Sequence, residues 1–236
     1  NVAGIRSIFL MSHSRFHSMP RRARLVPRHV PLHIIQRGVN QAAVFIDDED
    51  RHHYRRLLRE ACLENDIAVH AFVLMDNHVH LLLSQHGPKH WRLMRAVGQS
   101  YVQFFNGRHR RTGTLWHGRL KSCLVESDRY ALMVCRYIEL NPVRAAMVAL
   151  QEEYRGSSVH SHIGKARDPL ITLHSTCLAL AATWEERAFE YGKWLSAGME
   201  DEDLHDTQLH CQGAGVWLYT ISGYGREGIG PACRMP

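Results

Sequence analysis

Residues 67–84 hold two apolar runs separated by nothing but Asp76-Asn77. A two-residue polar turn between strand-like segments leaves the chain one simple option, an antiparallel hairpin. Its second arm carries His78, Val79 and His80 followed by three leucines. Side chains two apart on a strand share a face, so His78 and His80 face one way and Val79 and Leu81 the other. With 18 histidines in 236 residues, composition alone supplies about one or two His-x-His pairs. A second pair, His160 and His162, follows a Gly-Ser-Ser stretch and reads as a solvated loop. Strand context sets His78 and His80 apart. Two imidazoles on one strand face are awkward as plain core and are placed to share one metal ion, and spacing leaves both readings open.

The flanking segments extend the pattern. Residues 31–38 read as a strand ending at Gly38. Asp47 to Asp50 open a helix, because acidic side chains suit the positive end of the helix dipole, and helical spacing carries it over 48–65. Residues 67–75 and 78–84 form the hairpin. Residues 89–105 are helical, with Leu93, Val97 and Tyr101 on one face, and Asn106-Gly107 is a stop signal. A strand follows over 120–125, then a helix opening at Glu126-Ser127-Asp128 and ending or kinking at Pro142. The predicted fold class is α+β: a ferredoxin-like four-stranded antiparallel sheet with helices on one face, plus an extra helix that carries Tyr137 and Asn141. These two lie four apart, hence on one side of that helix.

Charge is divided unevenly. Residues 1–150 carry 22 Lys/Arg against 11 Asp/Glu, whereas the rest of the chain is mildly acidic. An arginine-rich domain matches phosphate oxygens and points to nucleic acid. Six scattered cysteines form no Cys-x-x-Cys pair, which argues for reduced thiols in a cytoplasmic protein over a zinc or disulfide framework. No run of apolar residues is long enough to span a bilayer, so no membrane partner is expected. Residues 1–18 read as a disordered extension, 19–155 as the catalytic domain, and 156–236 as a helical extension of unknown role.

Three ordered motifs sharpen the reading: Met75-Asp76-Asn77-His78-Val79-His80-Leu81-Leu82-Leu83, then Gly113-Thr114-Leu115-Trp116-His117-Gly118-Arg119-Leu120-Lys121-Ser122, then Arg136-Tyr137-Ile138-Glu139-Leu140-Asn141-Pro142-Val143-Arg144-Ala145-Ala146. Together with Ile35-Gln36-Arg37-Gly38-Val39-Asn40 and Tyr154-Arg155-Gly156-Ser157-Ser158, they resemble the REP-associated tyrosine transposases, a group of HUH-type single-tyrosine transposases. The resemblance covers about residues 19–165 and fails beyond them. It implies that His78 and His80 bind a divalent metal, Mg²⁺ or Mn²⁺. It implies Tyr137 as the nucleophile and Asn141 as a third metal ligand, although wider relatives place Gln there. The implied activity is cleavage and rejoining of single-stranded, hairpin-forming repeat DNA through a 5′-phosphotyrosine link, by a monomer or a homodimer.

A tyrosine hydroxyl, with a pKa near 10, is a weak nucleophile at neutral pH, which is why a Lewis acid beside it makes chemical sense. Arg21, Arg22, Arg24, Arg28, Arg37, Arg108, Arg110, Arg111, Arg119 and Lys121 are candidates for contacting the DNA backbone. Trp116 is a candidate for stacking on an exposed base, with core packing as its other reading. Two readings of other classes stay open: a DNA-binding host regulator that makes no catalytic use of the site, and a metal-dependent phosphohydrolase in which Tyr137 is structural.

Overall fold

The computed structural model describes residues 30–85, 89–118 and 120–198. Four strands, β1 (Leu32–Arg37), β2 (Ile67–Met75), β3 (His78–Gln85) and β4 (Lys121–Leu124), form one antiparallel sheet in the order β2-β3-β1-β4. Helix α1 (Asp48–Asn65) links β1 to β2, and α2 (His90–Arg108) links β3 to β4. This is the ferredoxin-like arrangement that the element order predicts. Gly38 lets the chain leave β1 sharply: a Cβ there would lie 2.2 Å from the Ala42 carbonyl oxygen. Helix α1 begins where expected because the Asp47 carboxylate accepts the Asp50 amide as an N-cap.

Alternation along the strands builds two cores. Leu32, Ile34, Val79, Leu81 and Leu83 face α1 and α2, where Tyr54, Leu58, Leu93, Val97 and Tyr101 bury them. The opposite face, with Ala71, Val73, Met75 and Leu82, is covered by α3 (Asp128–Glu139) and by the chain after residue 153. The extra helix therefore lies across the sheet from α1 and α2. Three short helices follow residue 158, namely α5 (Val159–His162), α6 (Ser175–Leu178) and α7 (Trp184–Ser196), after α4 (Asn141–Arg144). Val159, Cys177, Tyr191 and Leu195 from them complete the second core.

Two local expectations are corrected. Helix α2 does not stop at Asn106-Gly107 but runs to Arg108. The added residue delivers its guanidinium to Asp47, Glu49 and Asp50, at 2.7–2.8 Å, so a tertiary ion pair outweighs a local stop signal. The Gly156-Ser157-Ser158 loop pairs with the outer edge of β2. The Leu74 amide donates to the Gly156 carbonyl at 2.8 Å and the Ser158 amide to the Phe72 carbonyl at 3.0 Å. Ile171 and Thr172 pair further along the same edge, at Val69. Sheet edges left bare invite strand addition, and here the chain covers its own.

His70 on β2 is buried, with Nδ1 donating to the Thr172 carbonyl at 2.7 Å, Nε2 against the Ser84 hydroxyl at 2.8 Å, and His174 edge-on to its ring. Burial holds its pKa down at about 4, against an ordinary 6.5. A histidine with a depressed folded pKa stabilises the fold fully above its unfolded value, and that contribution is lost as pH falls towards 4. Urea unfolding of the native chain is expected to lose about 2 kcal/mol more between pH 7 and pH 5 than unfolding of His70→Gln. Identical pH slopes would remove His70 as the cause.

Candidate active site

β1 and β3 lie side by side, with Ile35 opposite His80 and Arg37 opposite His78, while Lys121 of β4 is opposite Ile35. Cross-strand partners share a face. Lys121, Ile35, His80 and Val73 therefore form one row across the sheet, and Arg37, His78 and Met75 the next. Helix α3 stands over these rows and brings the Tyr137 ring to 5.6 Å from that of His80, centroid to centroid. The His78 and His80 rings are 5.0 Å apart. The helix breaks at Leu140, and Asn141 opens α4 with Pro142 at its first turn. The break keeps the Asn141 side chain within hydrogen-bonding reach of His78. His78, His80, Tyr137 and Asn141 thus converge from a strand, a helix and the joint after it.

Both histidines are held through one ring nitrogen. His78 Nδ1 donates to the Asn77 Oδ1 at 2.6 Å, which leaves its Nε2 on the side of Asn141. His80 Nδ1 lies 2.9 Å from Nε2 of His33, a fully buried third histidine stacked on it. Burial pulls the His78 pKa down to about 4, with Arg37 adding to the effect and Asn141 opposing it. Burial, reinforced by His33 and His78, holds His80 well below 6.5. Both imidazoles are therefore neutral near pH 7, the form that can ligate a cation.

Sequence reasoning passed over His33 and Arg144. His33 lies on the same strand face as Ile35, 5.9 Å from the Tyr137 ring, but only the strand order shows that it meets His80. The exposed Arg144 sets its guanidinium 4.1 Å from the centre of the Tyr137 ring and donates to the Tyr137 carbonyl at 3.3 Å. Its place, seven residues or two helical turns after Tyr137, was the available signal.

The candidate DNA contacts scatter. Arg37 and Lys121 are exposed at the site's own rows. Arg110 is exposed on the left-handed turn after α2, and Arg111 lies over the Phe105 ring at 5.5 Å. Arg108 is corrected to a clamp between α2 and the start of α1, since its guanidinium is taken by carboxylates. Trp116 is corrected to a core residue: it is 8% exposed and packs with Tyr54 and Tyr101. Arg21, Arg22, Arg24, Arg28 and Arg119 lie outside the described residues, as do residues 1–18. The His160/His162 pair is also corrected, because α5 buries His162 in the second core. No helix among the described residues is long and apolar enough to cross a membrane.

A strand-borne histidine pair thus faces a helix-borne tyrosine across one face of a four-stranded antiparallel sheet. Residues 28–141 match the family described as "Transposase IS200 like". Among solved structures, the chain is similar to a REP-associated tyrosine transposase bound to a REP hairpin, at 13% identity and a TM-score of 0.51, over 67% of this chain and 93% of that one. It also matches a candidate transposase from Deinococcus radiodurans at 20% identity and a TM-score of 0.36, over 51% of this chain and 96% of that one. No curated protein matches the sequence.

Proposed function

We propose that this protein is a metal-dependent DNA strand transferase that cuts and rejoins single-stranded DNA at hairpin-forming repeats, with Tyr137 as nucleophile. The convergence of His78, His80, Tyr137 and Asn141 on one face of the sheet carries the reading. The donor set fits a divalent cation: two imidazoles that stay neutral near pH 7 and an amide beside them. His78, His80 and Asn141 would hold Mg²⁺ or Mn²⁺, and two nitrogen ligands favour Mn²⁺ of the two. Such an ion supplies Lewis acidity to a non-bridging phosphate oxygen.

The remaining chemistry belongs to the chain. Tyr137 Oη attacks phosphorus, the bond from phosphorus to the 3′ oxygen breaks, and the leaving strand takes a proton to end in a 3′-OH. The DNA stays joined to Oη as a 5′-phosphotyrosine, which keeps the bond energy for a second 3′-OH to reverse the step without ATP. Arg144, over the phenol ring, favours the phenolate and the phosphate charge. Arg37 and Lys121 flank the histidine rows and suit the incoming backbone. The REP hairpin held by the structural relative is the ligand class that supports hairpin DNA here. The test is incubation with end-labelled hairpin DNA and Mn²⁺, read on a denaturing gel for a covalent adduct. Binding with neither adduct nor cleavage would instead support the regulatory alternative.

His33 acts in this scheme as a positioning residue. Replacing it with Phe keeps the ring volume but removes the partner of His80 Nδ1. Mn²⁺ affinity is expected to fall about 10–100-fold, measured by calorimetric titration, with the melting temperature as a check on folding. An unchanged affinity in a folded His33→Phe protein would show that His80 needs no such support.

A further inference from the structure

Behind the helix that carries Tyr137, on the side away from the site, three ligand-bearing side chains meet in the second core. Cys135 comes from α3, His162 from α5 and Cys177 from α6. All three are buried, and their ligand atoms lie within 4.8 Å of one another. His162 is already oriented as a metal ligand would be. Its Nδ1 donates to the Glu139 carboxylate at 2.6 Å, and its buried Nε2 has no hydrogen-bond partner. A carboxylate on one imidazole nitrogen is the usual support for a metal on the other. Glu139 is itself fixed by the Ser158 hydroxyl at 2.6 Å and the Tyr191 hydroxyl at 2.8 Å.

From this geometry we infer a second metal centre, distinct from the His78/His80 site, in which Cys135, Cys177 and His162 Nε2 bind Zn²⁺. Two thiolates and an imidazole are a soft set that selects zinc over Mg²⁺ or Mn²⁺. A solvent-derived ligand takes the fourth corner. Binding displaces whatever protons the three ligand atoms carry, so the ion enters the core held by two thiolates and a neutral imidazole. The centre pins the segment beyond residue 153 to α3, the helix of Tyr137, and so acts as a structural tie. It stands whether or not Tyr137 is a nucleophile.

The test uses the full chain with His78→Ala and His80→Ala, which removes the other candidate site. Cobalt(II) is added under reducing conditions in place of zinc, because thiolate-to-cobalt charge transfer in the near ultraviolet arises only from cysteine ligands. One equivalent is expected to give that absorption together with tetrahedral visible bands. Zn²⁺ should displace both, and Cys177→Ser should lose the charge-transfer band. Native protein purified without added metal should carry about one zinc per chain by mass spectrometry. A folded chain without thiolate-to-cobalt absorption overturns the proposal, whatever the variants do. So does absorption that survives Cys177→Ser, or a Cys135–Cys177 disulfide in protein isolated with thiols blocked.

Discussion

Tyr137→Phe is expected to abolish the covalent adduct with single-stranded hairpin DNA and to slow cleavage by at least about 10⁴-fold. The change removes one hydroxyl and little else. The ring still packs against His33, His80 and Arg144, at 5.9, 5.6 and 4.1 Å, and unfolding free energy should move by no more than about 1 kcal/mol. Hairpin affinity should hold within a few-fold, since Arg37 and Lys121 are untouched. A folded, DNA-binding, inert variant is therefore the expected result, read by gel, by hairpin titration and by thermal melting on one preparation. Cleavage that persists at native rate would remove Tyr137 as nucleophile and leave hydrolysis by water as the reading of the site.

Glu139→Ala should have the largest effect on stability. Three donors from separate parts of the second half, Ser158, His162 and Tyr191, end on this one buried carboxylate. Burial works against a charged His162, but the carboxylate wins and raises its pKa to about 10. Removing the acid strands a buried imidazole and two hydroxyls. Breaking a buried charged network of this kind costs about 3–5 kcal/mol, which lowers the melting temperature of a chain this size by roughly 10 °C or more. Glu139→Gln keeps an acceptor and should lose about half as much. A drop within about 1 kcal/mol for the alanine variant would mean that these donors find other partners.

Much of the first half was legible from sequence because its signals are local. The hairpin turn is two residues long, and α1 runs over the predicted 48–65 because Asp47 caps it within its own turn. What escaped depends on partners distant in the chain. Arg108 reads as a free cation until the fold sets it beside Asp47 and Asp50. Trp116 reads as a stacking platform until the sheet places it between Tyr54 and Tyr101. His33 joins the site only through a strand order that puts β1 next to β3. His162, close to a Gly-Ser-Ser stretch, carries no local sign that a carboxylate 23 residues earlier will bury it.

The pairing of residues 156–158 and 171–172 along β2 has a consequence for how much of this chain counts as a unit. The family match ends at residue 141, before any of that pairing begins. A fragment trimmed to the match would not be a smaller edition of the protein. It would present β2 with a row of unanswered amides and carbonyls, beside a sheet face stripped of Tyr154, Tyr191 and Leu195. Such a surface recruits strands from whatever lies nearby, its own copies first. The borders drawn by sequence similarity and those drawn by self-sufficient folding therefore fall in different places, and the second half serves as the first half's own chaperone.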